Sequence, residues 1–373
     1  MPADRIYNFS AGPSMLPLPV LEQAAAEMLN YRGSGMSVME MSHRSRAYLD
    51  IFEETKAGLK HALAVPDSHE ILFMHGGATL QFSAVPMNLI GRTGKADYAV
   101  TGNFSGAAYK EAEKYGEVRL ACSSADKGHT YIPAQEDIAV SADASYFYYC
   151  SNNTIFGTEW KYVPETGSVP LVCDMSSDIL SVPVDVAKYG VIFAGVQKNM
   201  APAGLAVVIV DKALAGREHA LTPALMSYKA MIGSDSMLNT PPCYTIYMLG
   251  LVLKWLEGQG GVGGMEQIKA AKAKILYDVL DDSRMFTGCA STGARSDMNV
   301  TFRTQGGELD DKFVKEAANA GFENLKGHRI AGGMRASIYN AMPVEGVRKL
   351  AAFMRGFEAE NRDNFFTIEG NTH

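Results

Sequence analysis

Seven short apolar runs between residues 71 and 210 constrain the fold of this chain more than any other feature. They are ILFM (71–74), DYAVT (97–101), EVRLA (117–121), SYFYYC (145–150), VPLVCD (169–174), VIFAG (191–195) and LAVVIV (205–210). Several are apolar at successive positions, so both faces of such a strand must be covered. Helical segments lie between some of them, notably after residues 78 and 105. This alternation predicts an α/β domain built on a mostly parallel central sheet.

The flanking segments read differently. Gly12, Pro13, Pro17 and Pro19 punctuate an extended N-terminal arm. Helical runs follow over 21–29 and 48–63, the second with apolar Leu49, Phe52, Leu59 and Leu63 on a helical spacing. The glycine stretch GQGGVGG (258–264) then breaks the pattern. Beyond it come a helix at 265–280, a strand MNVTF (298–302), a helix at 309–320, a strand MRASIY (334–339) and a helix at 344–360. That order is α+β, which predicts an arm at 1–15, a large domain at 16–264 and a smaller domain at 265–373. A length of 373 residues fits two domains at roughly 150 residues each.

The net charge is −7 with basic and acidic residues interspersed, which argues against a nucleic-acid or anionic-membrane surface. Cys122, Cys150, Cys173, Cys243 and Cys289 are odd in number and form no C-x-x-C pair, so neither a disulfide framework nor a zinc site is expected. No apolar run approaches the roughly 18 residues of a spanning helix. The first 19 residues have neither a signal-peptide core nor an Arg-rich amphipathic pattern, and a cytoplasmic chain is the expectation.

Ligands of open α/β sheets collect at the carboxyl ends of the strands. ILFM runs into HGGAT (75–79), where glycines and a helix start can approach an anion; a tight strand-to-helix turn reads the same way. It matches neither the dinucleotide fingerprint nor a Walker loop. VPLVCD ends in Asp174, a carboxylate that burial makes costly unless paired. A protonated ring nitrogen would suit it, as would a helix cap or a structural ion pair. Lys198 lies between two apolar strands, where desolvation would lower its pKa and free the amine for Schiff-base chemistry. A lysine snorkelling out from a strand end is the alternative. Together the three strand ends outline an anion cradle, an acid and an amine.

The stretch GVIFAGVQKNMAPAGLAVVIV (190–210) resembles the lysine segment of the phosphoserine aminotransferases, a branch of the class V, fold-type I enzymes that use pyridoxal 5′-phosphate (PLP). The likeness extends through NFSAGPSMLP (8–17), SVMEMSHRS (37–45), ADYAVTGNFS (96–105), LVCDMSSDILSVPVDVAKYG (171–190), LNTPPCYTIYMLGLVLKWL (238–256) and KGHRIAGGMRASIYNAM (326–342). It implies that Lys198 holds PLP as a Schiff base, that Asp174 pairs with the ring nitrogen, and that Thr154 bonds the ring's phenolic oxygen. Ala78, Thr79, Gln197 and Ser176 would hold the phosphate. Asn239 and Thr240 would reach it from a second subunit, which implies a homodimer with shared active sites. The substrate side would fall on His43, Arg44, His328, Arg329 and Arg335, arginine suiting both a carboxylate and a phosphate through its bidentate fork. His75 and Asp185 are read as structural.

The implied reaction transfers an amino group from L-glutamate to 3-phosphohydroxypyruvate, giving O-phospho-L-serine and 2-oxoglutarate. Three positions depart from the family pattern. Phe104 stands where many members place tryptophan, Thr79 where some carry arginine, and Ala11 where a serine is usual. Rival readings are a cysteine desulfurase, for which Cys289 in TGCASTG is the candidate, an alanine–glyoxylate type transaminase, and a non-catalytic nucleotide-binding module.

Overall fold

A computed structural model describes residues 5–361. Its centre is a seven-stranded sheet of β1 (His69–His75), β2 (Lys95–Val100), β3 (Glu117–Ser123), β4 (Phe147–Cys150), β5 (Leu171–Asp174), β6 (Val191–Gly195) and β7 (Leu205–Asp211). The strand order is β1-β7-β6-β5-β4-β2-β3. Only β7 runs against its neighbours, β1 and β6; the remaining pairs are parallel. All of β4, β5 and β6 is buried, as the unbroken apolar runs require.

The expected strands lie where the sequence puts them, with ends shifted by up to two residues. VIFAG coincides with β6 at both ends. Helices α1 (Leu18–Ala26), α2 (Arg46–Ala62), α3 (Gly77–Leu89) and α4 (Asn103–Ala112) follow in order. The segments α3 and α4 leave the carboxyl ends of β1 and β2, so both helix starts face the same edge of the sheet.

The glycine stretch breaks the chain at Gln259 and Gly260, between two helices, and its later glycines already belong to the second helix. Gly260, at φ 89°, caps a 22-residue helix, and Gly261, Gly263 and Gly264 form part of its first turn. This helix, α6 (Gly261–Asp282), follows α5 (Cys243–Gly258) and is shared between two apolar clusters. Val262 and Met265 pack with the large sheet's core, whereas Ala273, Leu276, Val279 and Leu280 pack with the second. That second cluster covers an antiparallel sheet containing β8 (Asn299–Arg303) and β9 (Met334–Ser337), under α7 (Gly307–Asn319) and α8 (Val344–Glu360).

We keep the division at 1–15, 16–264 and 265–373 as a proposal. Residues 1–4 of the arm and 362–373 of the small domain lie outside the described residues. The arm has a definite attachment. Tyr7–Asn8 pairs in parallel with Phe322–Glu323, and Tyr7, Phe9 and Met15 join the second apolar cluster. Buried amides fasten the two halves together. Asn152 Nδ2 donates to Asn299 Oδ1 at 2.7 Å, and Asn340 Nδ2 donates to the Leu180 carbonyl at 2.9 Å.

Lys272 on α6 is fully buried and donates to the Tyr339 and Met342 carbonyls at 2.7 and 3.0 Å. With no anion to offset desolvation, burial pushes its pKa down from 10.5 to about 7. Above pH 10.5 neither folded nor unfolded chain holds this proton. As pH falls, the unfolded chain takes it up first, so the lysine lowers stability progressively until the folded state also protonates near pH 7. The unfolding free energy of wild type minus that of Lys272→Met should therefore rise with pH across this window by about 1.4 kcal/mol per unit at its steepest, and level off below it. Urea unfolding at a series of pH values checks this.

Candidate active site

A cavity of about 310 Å³ opens at the carboxyl edge of the sheet. Its wall draws on the ends of β1, β4 and β5, on the loop from β6 to β7, and on Gly12 and Pro13 of the arm. Lys198, Asp174, Ser176, Thr154, Gln197, Ala78, Thr79 and Phe104 all line it. The structure thus brings together eight of the residues selected from the sequence.

Lys198 lies in the loop from β6 to β7 and is 9% exposed. Its Nζ donates to Thr154 Oγ1 at 2.9 Å and Ser177 Oγ at 2.7 Å, and it lies 5.4 Å from the centre of the Phe104 ring. The loop is braced from inside by the Met200 and Ala201 N–H groups on the Val196 carbonyl, at 3.0 and 2.8 Å. From outside, the arm clamps it. Ser14 N–H donates to the Gln197 carbonyl at 2.9 Å, and the Ser14 hydroxyl donates to the Lys198 carbonyl. Pro13 and Ser14 thus link the second apolar cluster to the lysine.

Asp174 is the last residue of β5 and is buried. Its Oδ1 accepts from the Ser176 N–H at 2.9 Å and the Ser176 hydroxyl at 2.6 Å, leaving Oδ2 without a partner among the described residues. Burial raises the carboxyl pKa, against the opposing pull of the Ser176 hydroxyl and the Lys198 charge. A cationic N–H at Oδ2 would reverse that shift. Ser176 also accepts from the Gly195 N–H at 3.0 Å, so its one hydroxyl proton is already directed to Asp174. A phosphate contact through that proton, as the resemblance implies for Ser176, would break its bond to the carboxylate.

The anion cradle is the start of α3. Gly76 has φ 86°, and a Cβ there would meet Leu80 Cβ at 2.8 Å, so only glycine makes this turn without strain. The first-turn amides of a helix have no intrahelical acceptor, and Gly77, Ala78 and Thr79 stand at the cavity wall. Gly195 packs closely behind the cradle. A Cβ on it would lie 2.7 Å from Gln197 Oε1 and 3.3 Å from the Ala78 nitrogen.

The remaining candidates stand outside the cavity wall of the single chain. Arg335, on β9, reaches to 3.5 Å from the Thr154 carbonyl, and its Nε is buried without a partner. Burial lowers its pKa. His328 is held below its ordinary pKa by burial and by the Arg335 and Arg329 charges, so the two guanidinium groups and an imidazole held toward its neutral form make one group. Arg329 and Arg44 are exposed, and His43 is half-buried. Asn239, whose Oδ1 is buried without a partner, and exposed Thr240 lie in the loop before α5. Ser177 and Gly195 were not singled out from the sequence. Ser177 stands beside the chosen Ser176 in MSSD, and nothing in the sequence says which of two adjacent serines faces the amine.

The fold and this strand-edge site are those of the class V aminotransferases, and the family model Aminotransferase class-V matches residues 6–350. The phosphoserine aminotransferase of Nitrosomonas europaea is 50% identical over 362 residues, covering 95% of this chain and 98% of that protein. The solved phosphoserine aminotransferase of Bacillus circulans subsp. alkalophilus superposes with a TM-score of 0.94 at 43% identity, covering 96% of this chain and all of that one. The Trichomonas vaginalis enzyme, solved with PLP bound, gives a TM-score of 0.90 at 40% identity, covering 94% of this chain and 100% of that one. The chain belongs to the phosphoserine aminotransferase family.

Gly195→Ala should push the Gln197 side chain aside and crowd the Ala78 amide without touching Lys198. Its affinity for PLP, measured by titration of the cofactor-free protein, is expected to fall by at least about tenfold while the unfolding midpoint changes little.

Proposed function

We propose that this chain catalyses the reversible, PLP-dependent transfer of the amino group of L-glutamate to 3-phosphohydroxypyruvate, yielding O-phospho-L-serine and 2-oxoglutarate as a step of L-serine biosynthesis. The observation that carries this reading is a buried amine, Lys198, beside a buried acid with a free oxygen, Asp174, under the start of α3. The residues fit PLP. Lys198 would hold its aldehyde carbon, Asp174 Oδ2 its ring nitrogen and Thr154 its phenolic oxygen. The Ala78 and Thr79 amides with Gln197 would hold its phosphate, helped by Asn239 and Thr240 of a second copy in a homodimer. We assign Ser176 to the support of Asp174 in addition to any phosphate contact. Bound there, PLP would supply a protonated ring that draws electrons from a substrate Cα.

The chain's own groups do the rest. Asp174 keeps the ring-nitrogen proton in place, since a buried carboxylate is stable only with a cationic partner. Lys198 Nζ, when free, would take the Cα proton of glutamate, and in the second half-reaction would return a proton to Cα of the keto acid. Phe104, on the cavity wall, would offer the cofactor a phenyl ring with less area than an indole and no N–H. Arg335 is a half-buried guanidinium whose Nε awaits an acceptor, which suits the substrate carboxylate. Arg44 and Arg329 would supply positive charge for a phosphate and His43 and His328 ring N–H donors, and with Thr79 in place of arginine the cradle itself adds no side-chain charge there.

No helix among the described residues is long and apolar enough to cross a membrane. A cytoplasmic location belongs to this proposal and is in keeping with five free thiols. The desulfurase alternative needs a cysteine on a movable loop. Cys289 is instead tied to the small sheet, its N–H on the Thr301 carbonyl at 3.1 Å and its Sγ accepting from Arg303 at 3.5 Å.

The purified protein should carry a PLP absorbance band that glutamate converts to the amine form and that 3-phosphohydroxypyruvate restores. Lys198→Ala should leave no borohydride-reducible link between PLP and protein. For Arg335→Ala, kcat/KM for both substrates is expected to drop about a hundredfold, and unchanged turnover would refute the carboxylate assignment.

A further inference from the structure

We infer that Ser177 is a positioning residue for Lys198: its hydroxyl holds the lysine amine whenever that amine is free, and so aims the base at the substrate. This rests on the proposed PLP reading. The observation behind it is a closed triangle, with Lys198 Nζ 2.9 Å from Thr154 Oγ1 and 2.7 Å from Ser177 Oγ, and the two hydroxyls 2.6 Å apart. All three side chains are buried.

Donor counting gives the triangle a direction. A hydroxyl has one proton and two acceptor lone pairs, so each can accept from the amine while one donates to the other. Cε and the two donated N–H groups occupy three corners of the nitrogen tetrahedron. The fourth corner remains for the cavity that Lys198 lines: a lone pair on the neutral amine, the third N–H on the ammonium. The same two hydrogen bonds therefore serve before and after Nζ takes a proton from Cα. In that transfer the C–H bond breaks, its electron pair stays with the substrate carbon, and the new N–H takes the fourth corner.

Thr154 has a second demand on it, the phenolic oxygen of the cofactor. Ser177 has none. With cofactor and substrate in place, Ser177 is the hydroxyl left to orient the displaced amine. Its own aim is fixed by the turn after β5. Met175 N–H donates to the Phe193 carbonyl, and Ile179 N–H to the Met175 carbonyl, each at 2.9 Å. Its neighbours are tied as well, Ser176 to Asp174 at 2.6 Å and the Asp178 carboxylate to the Ser151 hydroxyl at 2.7 Å. Flanked on both sides by anchored residues, the Ser177 hydroxyl has little freedom to turn away.

The test compares wild type with Ser177→Ala and Ser177→Thr, each checked for PLP content and for a borohydride-reducible link at Lys198. Single turnover is followed by absorbance with glutamate and with glutamate deuterated at Cα. Separately, the rate of colour formation is recorded when PLP is added to the cofactor-free proteins. For Ser177→Ala the expected result is normal PLP content, a KM for glutamate within about twofold of wild type, and a kcat lower by about tenfold. A larger deuterium isotope effect and slower colour formation should accompany these changes, and Ser177→Thr should restore both. An alanine variant with wild-type isotope effect and wild-type colour formation overturns the inference, whatever happens to its overall rate. So does a loss of rate that threonine fails to rescue. Wild-type protein that takes up no PLP would overturn the cofactor reading itself, and this inference with it.

Discussion

Six strands of the central sheet run in one direction, and the rest of the site depends on that constraint. Parallel pairing places the carboxyl ends of β1, β5 and β6 along one edge, although residues 75, 174 and 195 are far apart in the chain. Reversed β7 completes the arrangement. Because Leu205 pairs with His75 and Ala206 with Gly195, the loop carrying Lys198 must close over that same edge, between Asp174 and the start of α3. The amine, the acid and the anion cradle follow from backbone direction before any side chain is considered.

Burying charged groups is costly, and the structure handles three buried lysines in three ways. Lys269 receives full ionic partners, Glu159 at 3.3 Å and Asp297 at 3.5 Å, and its pKa rises despite burial. Lys272 has only carbonyls and its pKa falls. Lys198 sits between two neutral hydroxyls, with no acid in direct hydrogen-bond contact. A direct carboxylate would fix the proton on the amine, whereas hydroxyl partners can accept from it in either protonation state. Asp174, close enough for its charge to be felt but bonded to Ser176, keeps an oxygen for a ligand.

The second half of the molecule is part of the site's frame. Its apolar cluster takes in Tyr7, Phe9 and Met15, so the arm that clamps the lysine loop is anchored there. Tyr339 donates to the Ala11 carbonyl at 2.9 Å, a further contact between the arm and the second half. Asn299 and Asn340 meet Asn152 and the Leu180 carbonyl across the junction. The Nδ2 donors of Asn152 and Asn340 find these acceptors only when both halves are docked, which favours one relative arrangement of the two.

The sequence alone determined the strand set, the α/β class and the three strand ends, because burial on both faces writes itself as unbroken apolar runs. Resemblance then selected Arg335 and its neighbours, which composition could not distinguish from other basic residues. Several features were settled only by tertiary structure. The glycine run 258–264 reads as a break, yet from Gly261 it starts a helix, since packing against two apolar clusters outweighs glycine's poor propensity. Ser176 and Ser177 are chemically identical in the sequence, but the turn after β5 sends one hydroxyl to Asp174 and the other to Lys198. Local pattern records which surfaces must be buried. Which of two neighbouring side chains meets a given partner depends on the direction of the backbone at that residue, and contacts distant in sequence fix that direction.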